Sequence, residues 1–106
     1  MPYAIYILKC SDGTYYTGLT KDLEARVRQH ETGAYPDSYT FGRRPVKLEW
    51  SIVTESYPEA FQWEHRIKGW SCAKKEALIR GDIDGIHEIV KSERKRREQN
   101  KKNLSR

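Results

Sequence analysis

Tyr3-Ala4-Ile5-Tyr6-Ile7-Leu8-Lys9-Cys10-Ser11-Asp12-Gly13-Thr14-Tyr15-Tyr16-Thr17-Gly18-Leu19-Thr20 is the stretch that decides the fold. Its two halves are rich in β-branched and aromatic residues, which favour pleated, half-buried strands. Between them Ser11-Asp12-Gly13-Thr14 supplies turn chemistry, with Gly13 able to take a positive φ. The chain therefore opens on a hairpin of residues 3–9 and 15–20. The loop length fixes which side chains share a face. A two-residue turn at Asp12-Gly13 pairs Lys9 with Tyr16 and throws Tyr6 and Tyr16 onto opposite faces. A three-residue loop, Ser11 to Gly13 with Gly13 left-handed, pairs Leu8 with Tyr16 and Tyr6 with Gly18. Both tyrosines then share a face, and Gly18 clears space beside Tyr6.

Outward from the hairpin, Asp22 reads as an N-cap for a helix carrying Leu23, Val27 and His30 along one side and ended by Gly33. Residues 33–46 read as a loop, punctuated by Gly33, Pro36, Gly42 and Pro45. Lys47 to Val53 alternates apolar and polar, with Leu48, Trp50 and Ile52 on one side, and predicts a third strand. Ser56 and Glu59 form a capping-box pattern, with Pro58 in the first turn, for a helix whose apolar stripe is Ala60, Trp63, Ile67 and Trp70. Shorter helices follow at about 72–80 and 83–91, separated by the Gly81 stop and the Asp82 cap. These elements predict an α/β sandwich in which helices cover a three-stranded, antiparallel sheet. The domain is expected to span residues 1–90.

At 106 residues the chain has room for one core, a lean one, because 37% of residues are apolar and 33% charged. No apolar run is long enough to span a bilayer and no secretion-signal pattern opens the chain, so the expectation is a cytoplasmic protein without membrane contact. Cys10 and Cys72 form no framework and are expected as free thiols. The net charge of +5 is unevenly placed: residues 91–106 carry +6 and the other ninety residues −1. A basic tail of this kind, expected to be mobile, suits polyanion attraction without making the body a basic domain.

Tyr6 within Ala4-Ile5-Tyr6, then Tyr16-Thr17-Gly18 ten residues on, Arg26 and His30 at helical i, i+4 spacing, and Glu64 within Phe61-Gln62-Trp63-Glu64-His65-Arg66-Ile67-Lys68 form one ordered set. Each residue alone has a plainer reading: Tyr6 as strand packing, Arg26 and Glu64 as solvated helix positions, His30 as a partly buried core histidine. Together they resemble the GIY-YIG nuclease domain, over almost all of residues 3–80. The likeness is strongest to short, standalone bacterial members, which also show a Tyr39-Thr40-x-x-Arg43-Arg44-Pro45 loop. Two positions depart from that signature, Ala4 in place of glycine and Thr17 in place of isoleucine.

The resemblance implies a three-stranded antiparallel sheet and a divalent-metal-dependent endonuclease acting on nucleic acid, DNA in preference to RNA. The chemistry of the groups agrees. Glu64 is a hard oxygen ligand suited to one Mg²⁺ or Mn²⁺. Arg26 is a permanently charged fork matched to phosphate oxygens. Tyr6 or His30 could accept a proton from water, and Tyr16 could position the phosphate or share that role. Gly18, Arg43, Arg44 and Lys68 are candidates for nucleic-acid contact, although Lys68 is also placed to pair with Glu64 one turn back. A zinc site built from His30, His65, His87 and the cysteines lacks ligand spacing, and adjacent Glu64 and His65 should point about 100° apart. The rival reading is a nucleic-acid-binding module that keeps the fold without catalysis. A separate targeting protein is left open, since no recognition module accompanies the domain beyond its tail.

Overall fold

The strand-forming hairpin residues fold as expected, and the third strand joins them across the first. The computed structural model describes residues 2–88 and residue 91. The chain divides into two compact units, Met1–Trp70 and Ser71–Arg106. The first holds β1 (Tyr3–Lys9), β2 (Tyr15–Thr20), α1 (Leu23–Thr32), a 3₁₀ turn (Phe41–Arg43), β3 (Lys47–Thr54) and α2 (Tyr57–Lys68). The second contains α3 (Cys72–Arg80), capped by Ser71 and ended by left-handed Gly81, and a helical stretch at 83–88 whose Gly85 N–H is accepted by Asp82 Oδ1. Apart from Lys91, the tail expected to be mobile lies outside the described residues. Among the described residues no helix is long and apolar enough to cross a membrane. Both cysteines are free, Cys10 buried and Cys72 exposed.

The sheet order is β2-β1-β3, with both neighbours antiparallel to β1. The central strand takes the core. Ile5, Tyr6, Ile7 and Leu8 are all at most 1% exposed, so β1 is a continuous buried run with no polar alternation. Each of its aliphatic side chains contributes about 1.5–3 kcal/mol by leaving water. On one face α1 sets Leu23 and Val27 against Tyr6, Leu8, Cys10, Tyr16 and Val46. α2 lies against all three strands, and the Tyr57 ring meets the Tyr3 ring edge-on at 5.3 Å.

The hairpin uses the three-residue loop. Cys10 N–H donates to Thr14 O (2.8 Å), Gly13 N–H donates to Cys10 O (3.0 Å), and Gly13 has φ 83°. Tyr6 pairs with Gly18 and Leu8 with Tyr16. Asp12 Oδ1 fastens the turn by accepting from the N–H and hydroxyl of Thr14.

Three packing expectations change. A bulge lies between Ile7 and Leu8, which pair with Trp50 and Leu48, so Glu49 is extra. Leu48 therefore shares the Leu8 face while Trp50 and Ile52 belong to the other, and the simple alternation fails. On this edge strand Ile52 is half exposed. In α2 the buried stripe is Ala60, Glu64 and Ile67; Trp63 is 42% exposed, because the helix turns the carboxylate inward and carries the indole about 100° away. Finally, the capping box is half formed. Ser56 Oγ accepts from Glu59 N–H, but the Glu59 carboxylate takes the Thr54 hydroxyl at 3.3 Å and leaves Ser56 N–H to Thr54 Oγ1.

Thr17, where an apolar residue would suit the core, is 2% exposed, and its hydroxyl has no hydrogen-bond partner among the described residues. An unpartnered buried hydroxyl costs about 1–3 kcal/mol. Thr17→Val keeps the shape and removes that group. The expected result in a thermal melt is a rise of roughly 4–8 °C per kcal/mol recovered; an unchanged or lower midpoint would show that the hydroxyl finds a partner.

Candidate active site

Tyr6 reaches across β1 to the β2 edge because position 18 has no side chain. A Cβ at Gly18 would overlap the Tyr6 ring at Cζ and at the hydroxyl. The phenol so placed meets His30 of α1, with Tyr6 hydroxyl and His30 Nε2 at 3.0 Å. Tyr16, one pair along on the same face, completes a cluster: its ring centroid is 6.2 Å from Tyr6 and 5.0 Å from His30. α1 holds this histidine because Asp22 caps its start, accepting from Ala25 N–H, and left-handed Gly33 ends it.

The loop before β3 is built around the same histidine. Thr40, 1% exposed, sets Oγ1 2.7 Å from His30 Nδ1, and Ser38 Oγ lies 3.0 Å beyond it. Tyr39 stacks on Tyr16 at 6.1 Å and 21°. Arg43 ties this segment to the hairpin tip: Nε donates to Asp12 Oδ2 (2.9 Å), Nη1 donates to Tyr39 O (2.8 Å), and the guanidinium lies 3.9 Å from the Tyr39 ring centre. Hydrogen bonds from Thr14, and after them Arg43, hold the Asp12 carboxyl below the usual range. Arg44 donates to Phe41 O and covers the Phe41 ring. The two arginines read as nucleic-acid contacts are thus both engaged with the protein's own groups.

Burial first, then the Tyr16 phenol, raises the Tyr6 pKa well above the ordinary tyrosine value. The Arg26 guanidinium opposes that rise, and Glu64 adds to it. Arg26 from α1 and Glu64 from α2 therefore both act electrostatically on the one phenol. Burial, and secondly Arg26, lowers the His30 pKa below its usual 6.5, so the imidazole is neutral at neutral pH. Half-buried Arg26 also lies 5.8 Å from the Tyr35 ring centre.

Glu64 has a side chain only 10% exposed, and each carboxylate oxygen has one partner. His65 Nδ1 approaches Oε2 at 2.9 Å and Lys68 Nζ approaches Oε1 at 3.6 Å. His65 does not diverge from its neighbour as helix geometry suggested; its side chain folds back onto the carboxylate. Lys68 pairs with Glu64. Among the described residues no three His, Cys, Asp or Glu side chains gather as a ready-made metal cage. A single hard carboxylate is what Mg²⁺ or Mn²⁺ needs when waters and substrate phosphate complete its shell. Lys68 is 62% exposed at its side chain and able to yield its place. The donor set fits such an ion.

The sequence reading did not assign Thr40, Tyr39, Asp12 or His65 to the site. Thr40 and Tyr39 stood in the quoted loop motif, but nothing in spacing alone aims Thr40 at a histidine ten residues earlier.

The profile of the GIY-YIG catalytic domain matches residues 2–77, about seven-tenths of the chain and every residue of the cluster. The chain belongs to the GIY-YIG family. Its relatives include a UPF0213 protein of Halobacterium salinarum, 49% identical over 75 residues, which are 71% of this chain and 96% of that one. A UPF0213 protein of Halalkalibacterium halodurans is 40% identical over 79 residues, 74% of this chain and 83% of the other. The solution NMR structure of the UPF0213 protein BH0048 from Bacillus halodurans matches with a TM-score of 0.49 at 40% identity, covering 74% of this chain and 83% of that one.

Proposed function

We propose that this GIY-YIG domain is a divalent-metal-dependent endonuclease of the cytoplasm that hydrolyses phosphodiester bonds in nucleic acid, DNA in preference to RNA. The observation that carries the reading is the Tyr6–His30–Thr40 hydrogen-bond chain, with Arg26 and Glu64 acting on the same phenol. Packing alone does not call for a neutral imidazole between a phenol and a buried threonine, flanked by a guanidinium and a carboxylate.

Mg²⁺ or Mn²⁺ held by Glu64 would supply Lewis-acid polarisation of water and phosphate. The protein's own groups do the rest. Arg26 binds the phosphate and offsets the charge that builds on it. Tyr16 hydrogen-bonds the phosphate and fixes its orientation. Tyr6 takes a proton from the attacking water as it passes its own to His30 Nε2, because a phenol with a raised pKa cannot serve as a standing base. The bond from phosphorus to the departing sugar oxygen breaks, and that oxygen takes a proton from solvent. Thr40 accepts from His30 Nδ1–H and so keeps Nε2 open. The non-catalytic alternative accounts for the fold and for the Glu64 contacts with His65 and Lys68, but not for a carboxylate and a guanidinium acting on one buried phenol.

The deciding experiment incubates labelled single-stranded, duplex and branched DNA and RNA with the full chain in Mg²⁺ or Mn²⁺, with Glu64→Ala as control. Cutting that needs both the ion and Glu64 is expected; no ion-dependent cutting of any substrate would leave only the binding module. The relay also has a direct readout. ¹⁵N NMR of His30 at neutral pH is expected to report the Nδ1–H tautomer, and Thr40→Val to shift the population toward Nε2–H. A wild-type ring already protonated at Nε2 would end the proposed proton direction.

A further inference from the structure

The outer face of α2 is aromatic where a solvated helix would be polar. Tyr57 is 50% exposed, Phe61 43%, and the His65 side chain 62%. Their i, i+4, i+8 spacing puts them on one face. Tyr57 and Phe61 centroids are 6.1 Å apart, Phe61 and His65 4.1 Å. Tyr3 extends the row at 5.3 Å from Tyr57. One end of this row meets the candidate active site, since His65 Nδ1 touches Glu64 Oε2. Cations stand at both ends: Lys21 Nζ is 5.8 Å from the Tyr3 ring centre, and Lys68 pairs with Glu64.

Such a row has three plain uses. As core packing it fails, because Tyr57 and Phe61 leave about half their surface in water. As a dock for an apolar protein surface it is poorly suited, being bounded by lysines and a carboxylate. For nucleic acid it has the needed parts, exposed π-faces for bases with cations alongside for the backbone. A duplex cannot use those faces, since its bases are already stacked on one another.

We infer that Tyr57, Phe61 and His65 form a stacking platform for unpaired nucleobases, which delivers the adjoining phosphodiester to Glu64. The inference rests on the nuclease reading only for the last clause; the platform itself is a binding site. Base faces lie on Phe61 and Tyr57, and the backbone runs beside Lys21 and Lys68. The substrate class is nucleic acid with bases out of the helix, such as a single strand, a flap or a loop.

The test measures binding of the full chain, in EDTA so that nothing is cut, by fluorescence anisotropy. Three labelled DNAs of equal length serve as probes: a thymidine strand, an abasic strand with the same phosphates, and a blunt duplex. Phe61→Ala is expected to weaken the thymidine strand about 5- to 150-fold, the effect of losing one base–aromatic stack. Binding of the abasic strand and the duplex should change less than about twofold, because phosphate contacts carry them. Phe61→Trp should restore or tighten thymidine binding, which separates stacking from a folding defect. Equal losses on all three probes, or failure of Trp to rescue, would overturn the platform. No loss on any probe would also overturn it and leave the row to a protein partner. Cleavage in Mn²⁺ is scored separately. Stacking without cutting would end the nuclease reading and spare the platform, while cutting indifferent to Phe61 and to base pairing would do the reverse.

Discussion

Tyr6→Phe is expected to slow phosphodiester cleavage by about 10²–10⁴-fold, the range for loss of a positioned proton-transfer group. The ring remains, so the packing over Gly18 and against Leu8 and Val46 remains. Only the hydroxyl is lost, and with it the bond to His30 Nε2. That leaves a buried ring nitrogen unpartnered, at a cost of about 1–3 kcal/mol in stability, which the melt will register. The pH profile separates chemistry from that structural cost. His30 receives a proton only while neutral, and its pKa lies below 6.5. Wild-type cleavage should therefore hold its rate down to pH 6.5 and fall as pH drops through the lowered His30 value. In the phenylalanine variant that acid limb should vanish, because no phenol connects His30 to water. Stability follows the same group with a definite sign: a histidine whose folded pKa is depressed stabilises the fold above pH 6.5 and loses that contribution as pH falls through the folded value. An acid limb of rate retained in Tyr6→Phe, with cleavage within tenfold of wild type, would remove Tyr6 from the proton path.

The hairpin's strands and the helix bounds were legible because each depends on local rules. Turn chemistry at Asp12-Gly13, the Asp22 and Asp82 caps and the Gly33 and Gly81 stops act within a few residues of themselves. The shared face of Tyr6 and Tyr16 follows from loop length. Local rules allowed a two- or a three-residue loop, and only the need for both tyrosines in one site favoured the longer. What did not read from sequence is long-range. The Glu49 bulge depends on how β3 meets β1, and it breaks an alternation that looked sound in isolation. In α2, hydropathy favoured Trp63 over Glu64 for the buried face. A scale that counts burial as apolar cannot foresee a carboxylate turned inward between a histidine and a lysine.

The loop before β3 teaches the same lesson about the site. Arg43 and Arg44 are exposed-looking cations in a glycine- and proline-punctuated loop, and such residues suggest phosphate contact. Their guanidiniums also organise the loop: Arg43 joins Asp12 to Tyr39, Arg44 donates to Phe41 O, and Tyr39 and Thr40 in turn back Tyr16 and His30. Tyr6, Tyr16, Arg26, His30 and Glu64 sit on strands and helices, where register and period set a side chain's direction. Those supporting them sit on an irregular segment, whose side-chain directions follow no period.

Glu64→Gln is the substitution that separates an ion-dependent nuclease from a binding module. The amide keeps the size and the helix position but loses the charge that would hold a divalent ion. Cleavage should fall by at least ~10²-fold, the scale of losing one main electrostatic contribution to the transition state. Affinity for uncut nucleic acid without metal should stay level or tighten slightly. A negative charge leaves the phosphate's neighbourhood, and Lys68, now paired with Glu64 at 3.6 Å, gains freedom to meet a phosphate. His65 loses a charge-assisted contact but keeps an amide oxygen as acceptor, so the aromatic row should persist. Arg26→Ala makes the informative contrast. Its guanidinium acts on bound phosphate in the ground state as well as during reaction, so both affinity and cleavage should drop. It also lowers the His30 pKa as the second cause after burial, so its removal should move the acid limb of any residual activity toward higher pH. Undiminished ion-dependent cleavage in Glu64→Gln would assign the ion to another ligand, and an acid limb unmoved in Arg26→Ala would detach that arginine from His30.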